Sequence, residues 1–272
     1  MPLSALTSAE ISLPAKPDGL RVRERIAALA DTVDLVGLTD NHAGQARMSP
    51  LAAVALAREQ GVATVVHVSC RDRNRLALQS QIVGAAALGS EGVLCLYGDP
   101  VDEVARVKDL TATELISRAK DWAAPHELAI GAVVNPFAPD LDREIRLLER
   151  KLAAGADFVQ SQMVFDLKAL RAFLDRADHL LADTRFYAGV ALLRSRRMAD
   201  QARSLPGCLL PDPGYQRITD GEGVKLATEL ALELADIDQV DALHIYPLGA
   251  ERETRDVAGA FRSARGAPAR RG

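Results

Sequence analysis

The sequence predicts an α/β protein, a single-domain (β/α)8 barrel of the TIM type. Apolar runs of strand length that stop at a polar side chain alternate with segments of helical period, and eight such runs are present. The chain length of 272 residues fits eight βα units. The alternative is a doubly wound open sheet, but the Gly-x-Gly-x-x-Gly turn typical of its first strand is absent from the sequence.

The clearest strand is residues 92–100 (GVLCLYGDP), an apolar run that ends at a turn. Such a run is typical of a strand buried on both faces in a parallel sheet covered by helices. The predicted strands, in order, are residues 9–13, 36–40, 62–67, 92–100, 129–135, 157–162, 185–190 and 242–246. Helices are predicted where apolar residues recur at spacings of three and four residues. These segments are residues 54–59, 76–88, 144–154, 169–181 and 224–234.

Composition is typical of an enzyme domain. Hydrophobic residues make up 48% of the chain, and the net charge of −4 leaves no excess of cations for a nucleic-acid backbone. No apolar stretch approaches the roughly 20 residues that cross a bilayer, and the amino terminus lacks a signal-peptide pattern. We expect a cytoplasmic protein without nucleic-acid or membrane partners, with its barrel in residues 1–262 and a disordered basic tail in residues 263–272.

Cysteines and histidines do not predict a metal site. Cys70, Cys95 and Cys208 are odd in number and widely spaced, so neither a disulfide framework nor a metal knuckle is indicated. The five histidines likewise lack the spacing of a ligand set. We therefore predict no metal.

Polar residues at the strand ends are the candidate functional site. The carboxyl ends of barrel strands meet on one rim, where such folds carry their chemistry. Each residue also has a structural explanation, since Thr39 or Asn135 can cap the following helix and Tyr246 can pack with its hydroxyl at a surface. The predicted rim residues are Glu10, Thr39, His67, Asp99, Asn135, Gln162 and Tyr246.

Glu10 is the most informative acid because it lies within an apolar strand. A carboxyl group inside a barrel loses hydration, which favours its neutral form and raises its pKa. We expect Glu10 to be a neutral acid that can donate a proton near pH 7. The alternative is a frayed amino terminus without a role.

Several motifs resemble, in order and spacing, those of the methylenetetrahydrofolate reductase family. They are residues 67–70 (HVSC), 94–100 (LCLYGDP) and 150–166 (RKLAAGADFVQSQMVFD). Residues 9–14 (AEISLP) are similar to the family's amino-terminal Glu before a Pro, and residues 244–252 (HIYPLGAER) to its last strand and loop. The resemblance covers about residues 5–260.

The resemblance implies an enzyme of one-carbon metabolism and methionine biosynthesis. Such an enzyme reduces 5,10-methylenetetrahydrofolate to 5-methyltetrahydrofolate with hydride from NAD(P)H, usually relayed by bound FAD. By similarity, Glu10 supplies the proton that opens the bridging methylene to an iminium, and Asp99 holds the pterin and places negative charge near the cation. Gln162 is implied to bind the pterin or the nicotinamide amide, and Arg252 the folate's glutamate carboxylate.

The FAD positions are where this sequence departs from the family. A Tyr stands at position 97 where the family has an Arg, and residues 135–137 (NPF) replace a Tyr-Pro-Glu. Arg47, in the loop after the second strand, is a substitute cation for the flavin pyrophosphate. The positions implied to contact FAD are Thr39, His67, Tyr97, Asn135, Glu144 and Lys151.

Three other interpretations stay open at this point. One is a flavin-independent relative in which NADH passes hydride directly to the folate. The second is a folate-binding subunit without reductase activity that hands a one-carbon unit to a methyltransferase partner. The third is a barrel enzyme of unrelated chemistry, since fold alone does not dictate function. Whether the chain forms a homo-oligomer is likewise open.

Overall fold

The computed structural model describes residues 4–98 and 106–267. Eight parallel strands close into one barrel in sequence order, with β8 hydrogen-bonded back to β1. The predicted fold class is therefore confirmed. The strands are β1 (Thr7–Ile11), β2 (Leu35–Leu38), β3 (Thr64–Ser69), β4 (Gly92–Leu96), β5 (Ala129–Val134), β6 (Phe158–Met163), β7 (Arg185–Ala191) and β8 (Ala242–Tyr246).

Helices surround the barrel. All five predicted helices are confirmed, as α2, α3, α5, α6 and α9. The helices of the described residues are α1 (Gly19–Ala30), α2 (Pro50–Arg58), α3 (Arg75–Ala87), α4 (Ala112–Ala123), α5 (Leu141–Ala153), α6 (Leu167–Leu181), α7 (Arg196–Ser204), α8 (Asp212–Thr219), α9 (Gly223–Ala235) and α10 (Thr254–Ala264). None of these helices is long and apolar enough to cross a membrane.

The end of the chain was predicted as a tail beginning at residue 263. Helix α10 continues through Ala264, so the first two residues of that range are helical. Residues 268–272 lie outside the described residues, and their disorder stays a prediction.

Alternation along the strands separates two apolar regions. One set of side chains, including Val36, Val66 and Cys95, packs outward beneath the helices. The other set fills the inside of the barrel toward the amino ends of the strands, and includes Leu35 and Phe158. Nearer the carboxyl ends of the strands, the inward-facing side chains are polar, and these side chains form the candidate site.

Candidate active site

A cavity of about 520 Å³ lies at the carboxyl ends of the strands. Four of the residues that the sequence predicts for the site line it: Glu10, Thr39, His67 and Tyr97. They reach it from the first four strands or the turns that follow them. The barrel thus brings together side chains that are nearly 90 residues apart in sequence.

We call Glu10, His67 and His244 the floor of this cavity: Glu10 and His67 line it, and His244 is buried beside Glu10. Glu10 on β1 and His244 on β8 are brought together by the pairing of those two strands, and Glu10 Oε2 lies 3.6 Å from His244 Nε2. Ser8 Oγ lies 2.8 Å from the other ring nitrogen, Nδ1, and fixes the ring. The gap of 3.6 Å exceeds a normal hydrogen bond, and the buried Nε2 has no hydrogen-bond partner among the described residues.

Gly37 on β2 provides the space that Glu10 and His67 share. A Cβ at this position would lie 3.2 Å from His67 Nε2 and 3.3 Å from the Cβ of Glu10. Both distances are tighter than ordinary van der Waals contact. The glycine therefore lets the carboxyl of β1 and the imidazole of β3 face each other across β2.

The protonation state of Glu10 corrects the sequence-based expectation. Burial by itself raises the pKa of this carboxyl, but the contact with His244 and the charges of His67, His244 and His42 together outweigh burial and hold the pKa below its ordinary value. The expectation of a raised pKa is wrong, because desolvation was considered without the imidazoles that the closed barrel brings to the carboxyl. Glu10 is a carboxylate near pH 7.

The imidazole of His67 is harder to protonate than that of an exposed histidine. Burial lowers its pKa to about 4, and the Glu10 carboxylate offsets that effect only in part. The imidazole is therefore neutral near pH 7, able to accept a hydrogen bond at one ring nitrogen and donate at the other. His244 is the imidazole whose Nε2 lies 3.6 Å from the Glu10 carboxylate.

Tyr246 and Gln160 are hydrogen-bonded to each other on the β6–β8 side of the barrel, and neither is among the residues that line the cavity. Gln160 Nε2 donates to the Tyr246 hydroxyl at 3.3 Å, and that hydroxyl donates to the carbonyl of Ser161 at 3.0 Å. Burial raises the pKa of Tyr246, so its hydroxyl stays protonated. The Tyr246 ring also packs edge-on against His244, with centroids 4.7 Å apart.

Gln162 lies away from this arrangement. Its Oε1 accepts a hydrogen bond from the backbone of Met163 at 2.9 Å, and a register irregularity in β6 falls between Gln160 and Met163. Gln160 is instead the β6 glutamine that lines a small void together with His67 and His244. The role predicted for Gln162 stays a prediction.

Two other residues were predicted to bind substrate, Asp99 and Arg252. Asp99 lies outside the described residues. Arg252 is exposed, and it is not among the residues that line the cavities described here. The binding roles expected of both residues stay predictions.

Three of the positions implied to contact FAD form a separate cluster beside β5. Glu144 accepts a hydrogen bond from the backbone of Asn135 at 3.0 Å, and Lys151 Nζ donates to the carbonyl of Val133 at 2.6 Å. The Lys151 ammonium also lies 4.0 Å from Glu144, and burial lowers its pKa although that carboxylate acts against the shift. Neither Asn135, Glu144 nor Lys151 is among the residues that line the cavity.

The loops that follow β2 and β3 contribute charges that sequence reasoning missed. Asp40, buried, accepts from the backbone of Ser69 at 3.0 Å and pairs with Arg73 at 2.9 Å. Arg71, only 1% exposed, lines the cavity, and donates to the carbonyl of Asn41 at 3.0 Å and to Asp72 at 2.6 Å. The run of charges directly after β3, residues 71–75 (RDRNR), is the signal that could have found them.

No group of three or more His, Cys, Asp or Glu side chains within residues 4–98 and 106–267 could hold a metal ion. The site thus consists of a carboxylate, two imidazoles and a tyrosine at the open end of a (β/α)8 barrel. These features define a barrel of the enzyme class, with acid–base groups at the mouth.

A model of the family described as "Methylenetetrahydrofolate reductase" matches residues 4–261, and the chain belongs to that family. It is 22% identical over 209 residues to methylenetetrahydrofolate reductase 1 of Schizosaccharomyces pombe, which covers 71% of this chain and 35% of the yeast protein. It is 25% identical over 234 residues to methylenetetrahydrofolate reductase 2 of Saccharomyces cerevisiae, covering 78% of this chain and 39% of that protein. The chain thus spans about a third of the length of these curated relatives.

Among solved structures, one similar fold is an uncharacterized protein from Clostridium thermocellum that binds two copies of 5-methyl-5,6,7,8-tetrahydrofolic acid. The TM-score is 0.71 with 12% sequence identity, over 96% of this chain and 95% of that one. At this identity the likeness supports the shared barrel fold.

Proposed function

We propose that this protein reduces 5,10-methylenetetrahydrofolate to 5-methyltetrahydrofolate with hydride from NAD(P)H. Membership of the family supports the reaction class. The observation that carries the proposal is the Glu10–His244 pair, which lies in the floor of the cavity with an imidazole nitrogen unpartnered among the described residues.

The chemistry requires a proton and a nearby negative charge. The bridging methylene accepts hydride after one carbon–nitrogen bond opens to an iminium, and the departing nitrogen takes up a proton. Glu10 supplies that proton after its carboxylate has taken one up from solvent in the substrate complex, and it passes the proton to the folate nitrogen. Substrate that displaces water from the floor desolvates the carboxylate and raises its proton affinity.

Once the proton has been delivered, Glu10 is again a carboxylate. Its negative charge faces the iminium cation in a cavity shielded from water, where electrostatic stabilisation is stronger than in solution. The neutral His67 offers a hydrogen bond to the bound heterocycle without adding a competing positive charge. The depressed pKa of Glu10 is therefore compatible with both steps.

FAD fits the described residues poorly. Thr39, His67 and Tyr97 line the cavity, but the Thr39 hydroxyl already donates to the carbonyl of Ile11 at 3.2 Å and Tyr97 carries no charge for a pyrophosphate. Arg47, the expected substitute cation, lines a neighbouring cavity instead of this one. The Asn135, Glu144 and Lys151 cluster satisfies its own polar groups instead of facing the cavity. We therefore derive no step through a flavin, and we expect hydride to pass directly from NAD(P)H to the folate.

The test follows NADH and NADPH oxidation with 5,10-methylenetetrahydrofolate and separates the folate products by chromatography. The proposal expects one nucleotide oxidised for each 5-methyltetrahydrofolate formed. A visible absorbance scan of freshly purified protein accompanies the assay, and a flavin band would contradict direct transfer. Absence of turnover with either nucleotide would contradict the reductase.

A second candidate is a folate-binding subunit without hydride transfer. The similarity to the Clostridium thermocellum protein, which binds 5-methyl-5,6,7,8-tetrahydrofolic acid, favours it. It expects tetrahydrofolate to bind and raise the melting temperature while NAD(P)H stays unoxidised. A methyltransferase partner belongs to this candidate.

A further inference from the structure

A second cavity, of about 360 Å³, lies beside the first between the β1–α1 loop and the β2–α2 loop. Ser12, two residues beyond Glu10 on the same chain segment, lines both cavities. A ligand with its reactive end at Glu10 can therefore extend past Ser12 into this second space, which we call the basic pocket.

Cations dominate the lining of the basic pocket. Lys16, Arg21 and Arg47 face it, and among the described residues none of them forms an ion pair with a carboxylate. Arg25 also lines it, but its Nε donates to Glu251 at 2.7 Å, which neutralises its charge. The carboxylate that lines the pocket belongs to Asp18.

Arg47 is the least satisfied of these cations. Its Nε is buried and has no hydrogen-bond partner among the described residues. Its Nη2 donates at 2.6 Å to the side-chain oxygen of Gln45, a neutral amide. A buried guanidinium nitrogen without an acceptor is costly, and an anionic ligand would supply the missing one.

Backbone contacts hold the basic pocket in place. The backbone of Met48 donates to the carbonyl of Pro14 at 2.8 Å, which joins the two loops. The backbone of Arg47 donates at 3.0 Å to Asn41 Oδ1, and Asn41 itself lines the catalytic cavity. Lys16 and Arg47 are thus carried on loops that are tied to each other and to the reaction site, and Arg21 lies in the first turn of α1, so little ordering is needed on binding.

We propose that the basic pocket binds the anionic end of a substrate whose reactive end lies at Glu10. Two sources share this chemistry: the phosphates of the nicotinamide nucleotide and the glutamate carboxylates of the folate. The inference rests on the proposed function. For the folate's glutamate carboxylate, it gives Lys16, Arg21 and Arg47 the role that the family resemblance implied for Arg252.

The test is the double variant Lys16→Ala/Arg21→Ala. Both side chains are exposed, so their loss leaves stability nearly unchanged. The matched control is Arg23→Ala, which removes a cation from the same helix but one that pairs with Glu59 at the surface outside the pocket. We expect the double variant to raise one KM about tenfold or more with kcat within about twofold, since charged contacts contribute on the order of a tenfold change each.

The two sources are separated by which KM rises. A higher KM for NADH or NADPH with an unchanged folate KM identifies the phosphates. A higher folate KM, larger for pentaglutamyl than for monoglutamyl substrate, identifies the carboxylates. Unchanged KM values for all these substrates, or equal effects in Arg23→Ala, overturn the proposal.

Binding without turnover keeps this proposal separate from the reductase itself. NADP⁺, and tetrahydrofolate with one or five glutamates, are titrated by calorimetry into wild type and variants at low and high salt. We expect one ligand to bind more weakly to the double variant, and its salt dependence to decrease. Equal affinities overturn the basic pocket, whereas binding with no NAD(P)H oxidation overturns the reductase alone.

Discussion

Two clusters at the mouth of this barrel contain the same kinds of groups and differ in what those groups still have to bind. Beside β5, Glu144 and Lys151 are each satisfied by a backbone partner, Asn135 N–H and the Val133 carbonyl, at normal hydrogen-bond distances. On the cavity floor, the Glu10 carboxylate and the Nε2 of His244 lie 3.6 Å apart.

The difference between the two clusters distinguishes a structural charge from a reactive one. A buried charge whose hydrogen bonds are complete stabilises its surroundings and has little capacity left for a ligand. A buried acid–base pair held apart, with open cavity above it, is costly unless a ligand completes it. By this criterion we propose the floor as the site of chemistry and the β5 cluster as a structural support.

The largest effect is expected when Glu10 is neutralised. Glu10→Gln keeps the shape of the side chain but removes proton transfer, and turnover should fall by about 10²- to 10⁴-fold with folate affinity nearly retained. Glu144→Gln, the same change in the β5 cluster, should stay within about threefold of wild type. Steady-state NAD(P)H oxidation measures both, and equal losses in the two variants would break the distinction.

The pH dependence of the free energy of unfolding should show the lowered pKa of His67. Its pKa in the folded protein is about 4 against an ordinary value of 6.5, so between these values the unfolded chain binds a proton that the folded protein does not. The free energy of unfolding should therefore decrease as the pH falls from 6.5 to 4, by up to about 1.4 kcal/mol per pH unit. Urea titrations across this range measure it.

His67→Gln is the comparison for that measurement. Without the imidazole, this part of the slope should disappear. Glu10 acts in the same direction but in a lower pH window, because a carboxyl with a lowered pKa contributes stability that is lost only as the pH falls below its ordinary value of 4.5. A variant that keeps the full slope between 6.5 and 4 would contradict the buried neutral imidazole.

A larger side chain at position 37 should lower both the stability and the activity of the protein. Gly37→Ala places a methyl group 3.2 Å from His67 Nε2 and 3.3 Å from the Glu10 Cβ, and we expect about 1–3 kcal/mol of destabilisation. Gly259→Ala, within α10, meets no atom within 4 Å and should be neutral or stabilising. Denaturant titration of the pair measures the difference, and matching values would contradict the tight floor.

The smallest expected effect is a change in the pKa of Glu10 when His244 is replaced. Removing the imidazole in His244→Gln takes away the largest influence that lowers the pKa of Glu10, so the pKa of that carboxyl should rise. Carbon-13 NMR titration of labelled glutamate carboxyl groups measures it, with Glu10→Gln used to assign the signal. An unchanged titration would show that His244 does not control the acid.

The fold was predictable because its strands are short apolar runs. Two of the predicted ranges, residues 92–100 and 129–135, contain β4 and β5 entirely. Helix α7 was missed because its sequence, RRMADQARS, contains too few apolar residues to show a helical period, although its Ser195 cap is present. Its place depends on packing instead of on local pattern.

The site was predictable only in part. Glu10 and His67 each end or interrupt an apolar run, and such a feature is visible along the chain. The contact between Glu10 and His244 arises only when β8 closes on β1 and sets Ser8 opposite His244. The sequence likewise could not reveal the irregularity in β6 that makes Gln160, and not Gln162, face the two histidines.

We propose that Glu10 supplies the proton that opens the methylene bridge, after which hydride passes from reduced nicotinamide to the folate carbon. Mass spectrometry of the folate product, after incubation with NAD(P)H deuterated at the transferable position, tests it most directly. We expect deuterium in the new methyl group for wild type and for Glu144→Gln, and almost none in the same time for Glu10→Gln. Labelled product formed at the wild-type rate by Glu10→Gln, or by none of the three proteins, would contradict it.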